Sequence, residues 1–218
     1  MFQFGSLVSY LPYLAGGVPI TFGIALVAFT AGAVAGLPMA LLRIGGVPGL
    51  AAFATAWIEF FRTTPPLVHI AWAYYVLPQS FGIRISDTAV VVAALAASVS
   101  AQMAEVFRGG FLAIQRGQHE AAIVLGLAPW QRLWYVILPQ TLRLIMGPAC
   151  NTAVSLIKDT SLAAIIAVPE LMNRGEIVAT RTFRPLEVLS TVAIFYFVLT
   201  YPVALLAGRL ERVSRKAF

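Results

Sequence analysis

The stretch EAAIVLGLAPWQRLWYVILP, Glu120 to Pro139, is a polar, interrupted segment between two apolar runs that are each long enough to cross a membrane. Glu and Ala favour a helix over residues 118–125, and Gly126 supplies the flexible residue that ends or bends it. The reading is two short helices joined at Gly126 and lying at a membrane surface. Their apolar residues Ala122, Leu125, Leu133 and Trp134 exceed what a solvated loop exposes. They suit a groove on a partner. By periodicity alone they suit a helix lying on lipid equally well.

The rest of the chain is apolar. Of 218 residues, 60% are hydrophobic and 11% charged, more apolar surface than one soluble core of this size can hide. A membrane-crossing helix needs about 20 mostly apolar residues, and five segments qualify. They run from about Gly17 to Leu42, Leu50 to Leu77, Asp87 to Phe107, Val136 to Lys158 and Leu186 to Leu206. The fold class is therefore all-α: a polytopic membrane protein with about five transmembrane helices, organised as one domain over residues 1–218.

Charge sets the orientation. Placing Arg43, Arg108, Arg116, Arg132, Arg143, Arg209, Arg212, Arg215 and Lys216 on one side leaves Arg84, Arg174, Arg181 and Arg184 for the other. The positive-inside rule makes the first group cytoplasmic, with the N-terminus outside, the C-terminus inside and the Glu120 segment in the cytoplasm. No Lys or Arg precedes Arg43, so the start lacks the basic region of a cleaved signal and is expected to stay in the mature protein. The net charge of +6 is scattered between apolar spans rather than gathered on a polar domain, which argues against nucleic acid as a partner. Within the first span, GAVAG at Gly32 to Gly36 has the small-xxx-small spacing that lets two helices approach closely.

Several chemistries have no residues to carry them. A phosphate loop ends in Lys followed by Ser or Thr, whereas Lys158 precedes Asp and Lys216 precedes Ala. ATP hydrolysis therefore does not belong to this chain. His69 and His119 stand 50 positions apart without a zinc motif, there is one cysteine, and no Gly-x-Ser-x-Gly elbow occurs. A membrane-embedded hydrolase needs a nucleophile and base within reach, and two distant histidines give it little support; no metal or cofactor is expected on this chain.

Glu120, Ala121, Ala122 and Gly126, followed by Val136, Leu138 and Pro139, resemble the coupling-loop signature of ATP-binding-cassette importer permeases, with Val136 where the signature has Ile. FRTTPPLVHIAWAYYVLP, EVFRGG, GQHEAA, ILPQ, KDTSL, VPEL and LERV are similar, in that order, to the branch that carries polar amino acids. Thr63 for Gly and His69 for Gln depart from that branch. The resemblance implies a type I ABC importer permease fold in a bacterial inner membrane. It implies a coupling loop at about 108–139 that docks on a cytoplasmic ATPase, with Glu120 as polar anchor and Gly126 as the bend. It further implies a second permease copy or paralogue, an extracytoplasmic solute-binding protein, and ATP with Mg on the ATPase alone. An ion-gradient-driven transporter or channel is the reading of a different class, and the Glu120 to Pro139 motif argues against it.

The second span is interrupted by Thr63, Thr64, Pro65 and Pro66, so a break is expected at Thr63 to Pro65 with a new helix from Pro66. Free amides at a helix start attract a carboxylate, and transporters use broken helices at mid-depth to hold solutes. Thr64 and nearby amides are candidates for a substrate carboxylate, with Arg62 adding charge. Glu59 and Arg62 sit one turn apart, as do Glu105 and Arg108; the latter pair reads as helix-orienting, whereas Arg62 fits binding and ion pairing equally. Asn151, Ser155 and Lys158 form one polar stripe on the fourth span, suited to lining the path or to joining helices. His69, beside the break, suits packing or a polar contact with solute.

Overall fold

A computed structural model describes residues 4–82 and 85–216, with side chains from 7 to 212. Arg84 lies outside the described residues, as do the side chains of Arg215 and Lys216. Every regular element among the described residues is helical. A 3₁₀ segment, Phe4–Tyr10, leads into α1 (Leu11–Ala15) and α2 (Val18–Ile44). Next come α3 (Pro48–Thr63), α4 (Pro66–Phe81), α5 (Asp87–Leu112), α6 (Arg116–Val124) and α7 (Pro129–Arg132). A π-helical turn, Leu133–Ile137, joins α7 to α8 (Leu138–Asp159), and a 3₁₀ segment, Thr160–Ile166, follows. The chain ends with α9 (Leu171–Thr182) and α10 (Pro185–Lys216).

Among the described residues three stretches are long and apolar enough to cross a membrane by themselves: Leu7–Ile44, Asp87–Leu112 and Pro185–Arg212. The fourth expected span qualifies only together with α9, as Pro129–Ile166 and Leu171–Thr182 bent by 51°. Ala167, at φ 57°, sits in the left-handed region at that bend. The second expected span divides into α3 and α4, 16 residues each. At 1.5 Å per residue each is about 24 Å long, short of a hydrocarbon core of about 30 Å. Among the described residues at most four stretches therefore qualify as spans, one fewer than the sequence leads one to expect.

Helix α5 is the centre of the bundle, packing on α2, α3, α4 and α8. Its closest neighbour is α2, because Gly32 and Gly36 leave no side chain between the two backbones. A Cβ on Gly32 would lie 2.8 Å from the Ala96 carbonyl oxygen, and one on Gly36 2.7 Å from that of Ser100. The small-residue spacing thus serves contact within the chain. Ile24 and Ala28 of α2, Val91, Leu95 and Val99 of α5, and Leu156 and Ile157 of α8 form the main core. A second cluster gathers Leu14, Leu171, Val178, Val188 and Val192 where α1, α9 and α10 meet.

Candidate functional site

The loop from α5 to α8 folds as two short helices turned at Gly126. The Gly126 amide donates to the Ile123 carbonyl (2.9 Å) and the Leu127 amide to the Ala122 carbonyl (3.1 Å). With Gly126 at φ 72°, this is the Schellman arrangement that closes a helix on a left-handed residue. The Gln131 side chain accepts from the Ala128 amide (2.9 Å) and starts α7. Ala122 is buried, so it packs the loop instead of facing a partner, and Leu133 is half-buried. The outward apolar face consists of Ile123, Val124, Leu125, Trp130, Trp134 and Tyr135, with Val124 86% exposed. Glu120 and Ala121 are exposed beside it.

The break in the second span falls at Thr64 and Pro65, as the prolines require: α3 ends at Thr63 and α4 starts at Pro66. The same prolines thin the expected amide cradle. Pro65 and Pro66 carry no N–H, the Thr64 amide donates to the Phe60 carbonyl (3.1 Å) and the Val68 amide to the Pro65 carbonyl (2.9 Å). Leu67 therefore supplies the free amide at this helix start. Thr63 returns its hydroxyl to the Glu59 carbonyl (2.7 Å) and so turns away from a ligand. Arg62 is exposed and has no carboxylate within ion-pair distance among the described residues.

Beside the break lies a cavity of about 450 Å³ bounded by Phe60, Phe61, Thr64, His69, Trp72 and Ala97 among others. Alanines 93, 94 and 97 of α5 make the room for it. His69 is 8% exposed. Its Nδ1 lies 3.1 Å from Ser98 Oγ, and the rings of Phe60 and Phe61 stand 5.6 and 4.7 Å away, centroid to centroid. Nε2 is buried without a hydrogen-bond partner.

Glu59 does not pair with Arg62. It faces Arg43 at 3.7 Å, and Arg43 also binds Glu105, which in turn holds Arg108 at 2.7 Å. The four groups join α2, α3 and α5 at one end of the bundle, a tie between helices that sequence spacing alone reads as two local pairs. Asn151 donates to Glu211 of α10 (2.8 Å), joining helices as the second reading of that stripe has it. Lys158 lines a cleft of about 510 Å³ with Ser161, Tyr196 and Thr200, while Ser155 is half-buried one turn before it.

Glu170, to which the sequence reading gave no role, is fully buried. Thr21 Oγ1 (3.3 Å), Tyr196 OH (2.8 Å) and the amides of Met172 (2.9 Å) and Asn173 (2.8 Å) all donate to its carboxyl. It caps α9 and ties it to α2 and α10. The acid ahead of an apolar helix start in PELM is the local signal for the cap; nothing local marks its burial.

A family model for the inner membrane component of binding-protein-dependent transport systems matches residues 32–216. The chain is 35% identical to the glutamine transport system permease protein of Escherichia coli (strain K12) over 212 residues, 97% of each chain. It is 34% identical to a probable glutamine ABC transporter permease protein of Bacillus subtilis (strain 168), covering 93% of this chain and 94% of that one. Among solved structures it resembles an amino acid ABC transporter crystallised with histidines, with a TM-score of 0.90, 32% identity and coverage of 97% and 99%. A methionine ABC transporter in an inward-facing conformation shares the fold, with a TM-score of 0.80 over 95% of this chain. An apolar helical bundle with a turned surface loop and a broken span is thus matched along nearly its whole length, and the chain belongs to the inner membrane components of binding-protein-dependent transport systems, as a multi-pass ABC permease subunit and not an enzyme.

Proposed function

We propose that this chain lines the solute path of an ATP-driven importer for polar or charged amino acids or close derivatives, and that its α6–α7 loop docks on a separate ATPase. The observation that carries the docking is the outward face of that loop. Six large apolar side chains, from Ile123 to Tyr135, stand exposed around a turn held by Gly126, and a groove on a partner is the setting in which such a face loses its water. Glu120 stands at its polar edge. ATP and Mg belong to that partner. The relatives' glutamine and amino-acid substrates support the solute class. Two permease chains, identical or paralogous, enclose the path, and an extracytoplasmic binding protein delivers the solute.

Arg43 and Arg108 gather at the end of the bundle from which the loop emerges, which supports a cytoplasmic loop and C-terminus with the N-terminus outside. Arg62, Thr64, His69, Ser155 and the cleft at Lys158 contact the solute as it passes, with Arg62 and the Leu67 amide favouring its carboxylate. Glu59 and Asn151 act on the path indirectly, through their partners Arg43 and Glu211.

The test is a mild-detergent pull-down of the tagged chain with mass spectrometry of what stays bound, beside a Glu120→Arg, Gly126→Pro variant. Proline cannot adopt the positive φ at position 126, so the variant loses the turn as well as the charge. An ATPase with a phosphate loop is expected with the native chain and absent with the variant. Its absence from both overturns the docking role.

A further inference from the structure

We infer that the cavity beside the Thr64–Pro65 break recognises an N–H donor on the solute side chain, a carboxamide above all, through the lone pair of His69 Nε2. The inference rests on the importer reading and deepens it by naming the end of the solute that this cavity accepts.

The tautomer follows from the hydrogen bonds. Ser98 Oγ lies 3.2 Å from the carbonyl of Ala94, one turn earlier on α5, and donates to it. A hydroxyl has one proton; with that proton on the Ala94 carbonyl, His69 Nδ1 is the donor at 3.1 Å from the same oxygen. A neutral imidazole protonated on Nδ1 presents Nε2 as a pure acceptor. That atom has no hydrogen-bond partner among the described residues, in a residue that is only 8% exposed. A buried acceptor left bare costs free energy unless a donor arrives at some stage of function.

The surroundings decide which donor. The cavity wall is aromatic and aliphatic, from Phe60, Phe61, Val68, Trp72 and four alanines, with Thr64 adding a hydroxyl. It holds no cation to balance a carboxylate. A carboxylate facing Nε2 would set two acceptors against each other, whereas an amide N–H completes the bond and is neutral enough to enter an apolar space. Phe60 closes against the imidazole yet is 56% exposed. A turn of that ring is the movement the proposal requires to bring Nε2 to the cavity.

The test uses the tagged chain purified in mild detergent with whatever stays bound. Recovery of an ATPase reports on the importer reading, separately from solute binding. Binding of radiolabelled glutamine and glutamate, near-isosteres that differ in the donor, is then measured on wild type, His69→Gln and His69→Leu. Wild type is expected to prefer glutamine by roughly tenfold or more, the value of one well-made hydrogen bond in a dry site. His69→Gln offers a carbonyl oxygen and retains the preference; His69→Leu abolishes it. Equal affinities in wild type, no binding of either solute, a preference that survives in His69→Leu, or its loss in both variants overturns the inference, with or without an ATPase present.

Discussion

Glu170 and His69 lie in the same apolar bundle, each less than a tenth exposed, and their polar atoms are met in opposite ways. The carboxyl of Glu170 receives four hydrogen bonds from α2, α9 and α10. The imidazole of His69 has Ser98 at one nitrogen and nothing at the other. Inside a membrane there is no water to take up the deficit. Glu170, fully satisfied, holds helices together, while Nε2 of His69 is left for something that the chain does not itself supply. Both ends of α2 are fastened in the first way. Thr21 reaches Glu170 at one end and Arg43 reaches Glu59 and Glu105 at the other, about 33 Å apart at the helical rise per residue.

The largest effect is expected at the satisfied site. Glu170→Ala strands two hydroxyls and two amides in a buried space, at a cost of about 3 to 5 kcal/mol. For a chain of this size that is a fall of roughly 10 °C in the unfolding midpoint, measured in detergent. A fall under about 2 °C would show that the second cluster holds α9 without this carboxyl, and the contrast with His69 would lose its meaning. Tyr196→Phe is the smaller probe of the same site. It keeps the ring in place, removes one donor of four, and should cost about 1 kcal/mol, a shift of a few degrees.

What the sequence made legible follows the range over which each residue acts. The break at Thr64–Pro65 and the turn at Gly126 could be read because proline and glycine constrain their own backbone. The thinning of the amide cradle has the same local cause, since two prolines remove two donors. Glu59 was assigned to Arg62 by spacing on one helix, and its partner came instead from α2. Glu170 was illegible because its burial depends on Thr21, 149 positions away, and on Tyr196. Likewise Asn151 reads as a stripe on one helix until α10 brings Glu211 against it.

The smallest expected change in stability sharpens the comparison most. His69→Leu replaces the imidazole with an apolar side chain of similar bulk among Phe60, Phe61 and Trp72. It deletes the bare acceptor and strands no proton, because the Ser98 hydroxyl still donates to the Ala94 carbonyl. The loss of one hydrogen bond and the removal of one unsatisfied atom then offset each other, and the stability should change by no more than about 1 kcal/mol in either direction. A fall as large as that of Glu170→Ala would mean that Nε2 is matched within the folded chain after all, and that His69 belongs with Glu170 among the groups that hold the bundle. A stability near that of the wild type, together with an altered choice between glutamine and glutamate, separates the two buried groups by what they do. One is a fastening between helices, and the other is a vacancy for a donor that the solute brings.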